Sequence, residues 1–92
     1  MRYKLTYSHQ FQKDVKLCQK RGLNLELLTK AITILASEGS LPASYKPHIL
    51  HGSREGQWEC HIKPNWLMVW EQNDEALTLL MLNTGTHSDL FK

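Results

Sequence analysis

Polar and apolar side chains alternate along Arg2-Tyr3-Lys4-Leu5-Thr6-Tyr7, the period of a half-buried strand. The period then changes to that of a helix. Ser8 is placed to cap it, Phe11, Val15 and Cys18 recur at i, i+4 and i+7, and Gly22 ends it. Asn24 can cap a second helix, in which Leu25, Leu28, Ile32 and Leu35 form a stripe widened by Leu27, Ala31 and Ile34, with Gly39 as its stop. A proline-bearing loop, 41–47, leads to a short strand at His48-Ile49-Leu50, and Gly52 to Gly56 turn the chain back. In Gln57-Trp58-Glu59-Cys60-His61-Ile62-Lys63 the apolar Trp58, Cys60 and Ile62 alternate with Glu59, His61 and Lys63, so His61 is expected on the face opposite the helices. Pro64-Asn65 reads as a turn, Trp66 to Trp70 as a central strand and Leu77 to Leu82 as the last strand.

This order, β-α-α followed by a β-meander, predicts an α+β fold with a helical hairpin on one face of an antiparallel-rich sheet. Ninety-two residues suffice for one modest core, hence a single domain spanning 1–92. With 41% hydrophobic and 22% charged residues the composition is that of a globular chain. The chain opens on no apolar leader and holds no stretch near the ~20 apolar residues of a spanning helix, so a cytoplasmic protein with no membrane role is expected. Cys18 and Cys60 form no CxxC pair and are expected as small buried apolar groups. The net charge of +2 conceals an asymmetry. Residues 1–30 carry seven basic side chains against two acidic, while the remainder carries four against seven. A basic half suits a polyanion-facing surface and equally a solubilising helix face.

The polar groups of the sheet are expected to converge around His61, Lys63, Asn65, Asn83 and His87, with His48 contributed by a further strand and His87 at a rigid sheet edge. Imidazoles titrate near ~6.5 and can both take and give protons around neutrality. Cleavage of RNA without a metal requires a base for the 2′-hydroxyl proton, an acid for the leaving 5′-oxygen and donors for the phosphorane charge. The histidines with Lys63 supply these types, and Trp66 and Phe91 could stack on an unpaired base. His48-x-x-His51, His61 and His87 match no strong zinc spacing, and no metal or cofactor is expected. Nucleotide-binding and hydrolase motifs such as GxGxxG, the P-loop, GxSxG and HExxH do not occur.

Three blocks carry a resemblance: Tyr45-Lys46-x-His48-x-Leu50-x-Gly52, Glu59-Cys60-His61-Ile62-x-Pro64-x-Trp66, and Thr84-Gly85-Thr86-His87-x-x-Leu90-Phe91. Together with Phe11 to Lys16 they resemble YafQ-type toxins of the RelE superfamily over nearly the whole chain. The resemblance implies a RelE-like β-α-α-β-β-β fold and a bacterial endoribonuclease toxin that cleaves mRNA in the ribosomal A site. It implies as partners a cognate antitoxin, the 70S ribosome with its mRNA, and operator DNA reached through the antitoxin. It implies catalytic roles for His48, His61 and His87 and at the position of Asn65, and RNA contacts from Trp66 and Phe91 and at the position of Asn83, to which the cation Lys63 is added by its residue type. The working assignment takes His87 as acid and His61 as base, with His48 assisting or orienting. Two positions depart: the family commonly has Asp where Asn65 stands and Arg where Asn83 stands. Asparagine is neither a general base nor a bidentate cation, so charge stabilisation is expected to shift to Lys63, Arg54 or the ribosome. A catalytically weak homologue acting as antitoxin partner and co-repressor is the alternative. A gyrase inhibitor is a third option, one with no need of the histidines.

Overall fold

The computed structural model describes residues 2–91; Lys92, part of the terminal segment considered above, lies outside the described residues. In chain order the elements are β1 (Lys4–Tyr7), α1 (His9–Lys20), α2 (Leu25–Glu38), β2 (His48–Ile49), β3 (Trp58–Lys63), β4 (Trp66–Asn73), β5 (Thr78–Gly85) and α3 (His87–Leu90), with single 3₁₀ turns at Ala43–Tyr45 and Gly52–Arg54. The five strands make one sheet in the order β1-β5-β4-β3-β2. Only β1 runs parallel to its neighbour, β5, because the α1–α2 crossover carries the chain over the sheet between them.

The helix boundaries follow from their caps. Ser8 Oγ accepts the Phe11 amide at 2.9 Å and Asn24 Oδ1 accepts that of Glu26 at 3.0 Å, satisfying donors that the first turns leave orphaned. Gly39 closes α2 at φ 74°, and a Cβ there would meet the Tyr3 ring at 2.7 Å, so both backbone angle and space require glycine. The apolar stripes land as expected. Phe11, Cys18, Leu28, Ala31, Ile32 and Leu35 pack with Cys60, Met68, Trp70, Leu79 and Met81 into one core between the hairpin and the sheet. Both cysteines are buried thiols, and burial pushes Cys60 up to about 12.

Three differences from the sequence reading bear on function. The last strand begins at Thr78, since Leu77 sits at φ 53° in a turn that Asn73 Oδ1 organises by accepting the Glu75 and Ala76 amides. It also runs on to Gly85, three polar or small residues beyond the apolar run, because the ladder to β4 continues to Leu67. Finally, His87 does not end the sheet. It opens α3, whose Thr86 cap and Asp89 form a reciprocal capping box.

Candidate functional site

Residues directly opposite in an antiparallel pair share a face. The register His48–Glu59, Glu59–Val69 and Val69–Asn83 therefore sets those four side chains in line on the face away from the hairpin. The adjoining row runs His61–Leu67–Gly85. Strands lie ~4.8 Å apart, so the His61 and Gly85 backbones are roughly 10 Å apart, and His87 follows two residues after Gly85. His48, His61 and Asn83 are thus gathered on one face of the sheet, with His87 on the element that follows β5. Among the described residues no three His, Cys, Asp or Glu side chains form a donor set for a metal ion.

The hydrogen bonds distinguish the histidines. His61 Nδ1 lies 3.3 Å from the Pro64 carbonyl, which can only accept, so Nδ1 carries the proton and Nε2 keeps a lone pair. That is the tautomer a base requires. His48 is held at both ends: Nδ1 is 2.9 Å from the Lys46 carbonyl, and Nε2 is 3.1 Å from Glu59 Oε1. Both ring nitrogens thus already lie against protein oxygens. His48 is accordingly an engaged group, suited to orienting a neighbour. His87 is exposed on α3, and its ring centroid lies 4.8 Å from that of Phe91.

Asn83 occupies the centre of a second cluster. It accepts Arg54 Nη2 at 2.6 Å, and Arg54 Nη1 also donates to Gln57 at 3.2 Å. The same guanidinium lies 5.7 Å from the Phe91 ring centroid. On the other side Asp14 of α1 accepts the Thr84 amide at 3.1 Å, covering the β5 edge where β1 has already ended. Arg54 thus supplies, from a loop, a cation beside the position where asparagine stands. The chain His87–Phe91–Arg54–Asn83 is continuous.

Two side chains are placed otherwise than the strand pattern predicts. Trp66 is 2% exposed, with its indole N–H bonded to Thr84 Oγ1 at 2.9 Å, so it braces β4 against β5 from within the core. The register shifts between His61 and Lys63, so that Lys63 comes to oppose Trp66. It lines an end cleft of about 510 Å³ with Arg21, Asn65, Trp66 and Thr86, and a smaller one of about 220 Å³ that it shares with Lys46 and His61. Asn65 is exposed at that hairpin turn.

The sequence reading assigned no role to Glu59, Asp14 or Asp89. Glu59 is 5% exposed, and its Oε2 has no hydrogen-bond partner among the described residues, an unusual cost for a buried carboxylate. The strand period that put His61 on this face puts Glu59 there too, and only its charge argued against burial. Asp89 accepts Arg21 through both oxygens, at 2.6 and 3.2 Å, and the Thr86 amide at 2.9 Å. The Arg21 guanidinium and the Thr86 amide hold its carboxyl well below the usual carboxylate range.

The model of a family described as the bacterial toxin of a type II toxin–antitoxin system, YafQ, matches residues 3–92. The chain is 40% identical over 88 residues to the mRNA interferase toxin YafQ of Escherichia coli K12, covering 95% of this chain and 94% of that protein. The toxin in the crystal structure of the E. coli DinJ–YafQ toxin–antitoxin complex superposes with a TM-score of 0.89 at 38% identity, covering 100% of both chains. A metal-bound toxin from Helicobacter pylori superposes with a TM-score of 0.87 at 38% identity, over 97% of this chain and 99% of that one. With its β-α-α-β-β-β-β-α order and its histidine-bearing face, the chain belongs to the YafQ family of bacterial toxins of type II toxin–antitoxin systems.

Proposed function

We propose that this chain is an endoribonuclease that cleaves mRNA in the ribosomal A site by acid–base chemistry, with His61 as base and His87 as acid. The observation that carries the reading is the pair of imidazoles flanking one polar face. One has its Nε2 lone pair available, and the other is exposed beside an aromatic ring and an arginine. His61 Nε2 takes the 2′-hydroxyl proton, the 2′-oxygen attacks phosphorus, and His87 protonates the departing 5′-oxygen. The products are a 2′,3′-cyclic phosphate and a 5′-hydroxyl. Arg54, aligned by Asn83 and Gln57, stabilises the phosphorane oxygens, and Phe91 stacks against the nucleotide. His48, tied to Glu59, orients the substrate from the far end of the row. Asn65 and Lys63 line the path of the strand beyond the hairpin turn.

No step passes through a metal, and the protein works in the cytoplasm on 70S ribosomes. A cognate antitoxin silences it, as suggested by the relative crystallised with DinJ, and brings it to operator DNA. The asparagines at 65 and 83 support a second reading, a weak nuclease whose main duty is antitoxin binding and co-repression. A cleavage assay of the free toxin on programmed ribosomes separates the two. We expect cleavage that survives EDTA and a loss of about 100-fold or more on His87→Gln. Strict dependence on added divalent ions, or full activity of His87→Gln, defeats the mechanism.

A further inference from the structure

His87 stands on an element that cannot hold itself. A helix of four residues pays the whole cost of nucleation with almost no propagation, and α3 buries none of its side chains fully. What fixes it is polar. Asp89 closes the capping box on Thr86, and Arg21, at the corner between α1 and α2, grips the same carboxylate with both guanidinium nitrogens. The backbone makes room for this contact: a Cβ at Gly85 would meet Asp89 Oδ2 at 2.7 Å, and Gly85 lies at φ 155°. Arg21 lies 68 residues from Asp89 in sequence, so the ion pair ties the helical hairpin directly to the element bearing His87 and Phe91.

We infer that Arg21 and Asp89 are positioning residues for the cleavage step, clamping α3 so that the His87 imidazole meets the leaving oxygen. The inference rests on His87 being the acid. It assigns Arg21 a different duty from an RNA-binding cation, since its guanidinium is occupied by the carboxylate. A displacement near 1 Å at a reacting group can cost on the order of 100-fold in rate. The clamp should therefore act on kcat and leave KM nearly unchanged.

The test compares Arg21→Gln, Arg21→Lys, Asp89→Asn and the double variant Arg21→Gln/Asp89→Asn with the parent on programmed ribosomes. His87→Gln serves as the control. Asparagine at 89 can still accept the Thr86 amide, and lysine at 21 keeps the charge without the fork. We expect kcat to fall by about 10- to 100-fold in Arg21→Gln and Asp89→Asn, less in Arg21→Lys, with KM changing under about twofold. The double variant should lose no more than the worse single one. In the same variants the His87 ring-proton NMR resonances should move, because they lie beside the Phe91 ring, while antitoxin binding persists. Two outcomes overturn the inference: unchanged kcat with His87→Gln inactive, or a KM effect in Arg21→Gln accompanied by tighter binding in Asp89→Asn, which would make Arg21 an RNA contact. An active His87→Gln would instead defeat the mechanism on which the inference rests. If Arg21→Gln fails to fold, Arg21→Lys and Asp89→Asn decide the matter by the same readouts.

Discussion

Asn83 illustrates how a side chain is judged by its neighbour. As a residue type it is a neutral amide where the family commonly places arginine, which from sequence alone is a loss of phosphate-binding charge. In the folded chain Arg54 Nη2 lies 2.6 Å from its Oδ1, so a guanidinium occupies this corner after all, delivered by the loop after β2. Asn83→Arg would place two guanidinium groups against one another, and like charges at such range repel strongly. We expect cleavage to fall, by up to about 100-fold if Arg54 is displaced from the transition state. Arg54→Gln should produce a loss of similar size, and single-turnover rates on programmed ribosomes measure both. A rise in Asn83→Arg would show that Arg54 does not reach the reacting phosphate. Sequence periodicity placed His61 on the correct face, because a strand period of two leaves little choice. It could not anticipate that Glu59 would be buried against His48, or that the register would shift between His61 and Lys63, since both depend on partners distant in sequence.

At the scale of elements, the regular parts were legible and the functional margin was not. Both helices, their caps and the apolar strands declare themselves through spacing. The short α3 does not, because Thr86, His87, Ser88 and Asp89 are few and polar, and their order comes from Arg21 and the capping box. The end of β5 was missed for a related reason: Asn83 to Gly85 pair with β4 but carry no apolar alternation. The margin has its own pH signature. Asp89 is held below its ordinary range chiefly by Arg21, so it binds its proton less readily folded than unfolded. A carboxylate with a depressed value stabilises the fold above its unfolded value near ~3.9 and loses that contribution as pH falls through the folded one. The parent should therefore be more stable than Asp89→Asn at neutral pH, with the difference closing as pH drops below about 4. Urea midpoints across pH measure this. A difference that persists at the lowest pH would mean that Asp89 contributes through packing and not through charge.

Over the whole molecule the charge asymmetry acquires a shape. Lys13, Lys16 and Lys20 fall at i, i+3 and i+7 of α1, one exposed stripe opposite Phe11 and Cys18, which face the core. The same helix sends Asp14 from its sheet-facing side to the Thr84 amide, so α1 meets β5 through Asp14 and leaves the lysines on its outer side. No helix of the described residues is long and apolar enough to cross a membrane, and an exposed row of lysines suits a polyanion such as RNA as well as it suits solvent. If the toxin docks on the ribosome, lysines on this stripe would neutralise phosphates while the polar face, with Arg54 and His87, engages the mRNA. Such contacts release counterions and set affinity, with little influence on a reacting phosphate held by other groups. Replacing all three lysines by glutamate should raise KM and flatten its salt dependence by roughly 0.7–0.9 per lysine that meets a phosphate. The turnover rate at saturation should stay near that of the parent, because none of the three touches His61, Arg54 or His87. Titrating KM against salt distinguishes the cases. An unchanged slope would reduce the stripe to a solvated helix face, and a collapse of kcat at constant KM would place α1 inside the chemistry.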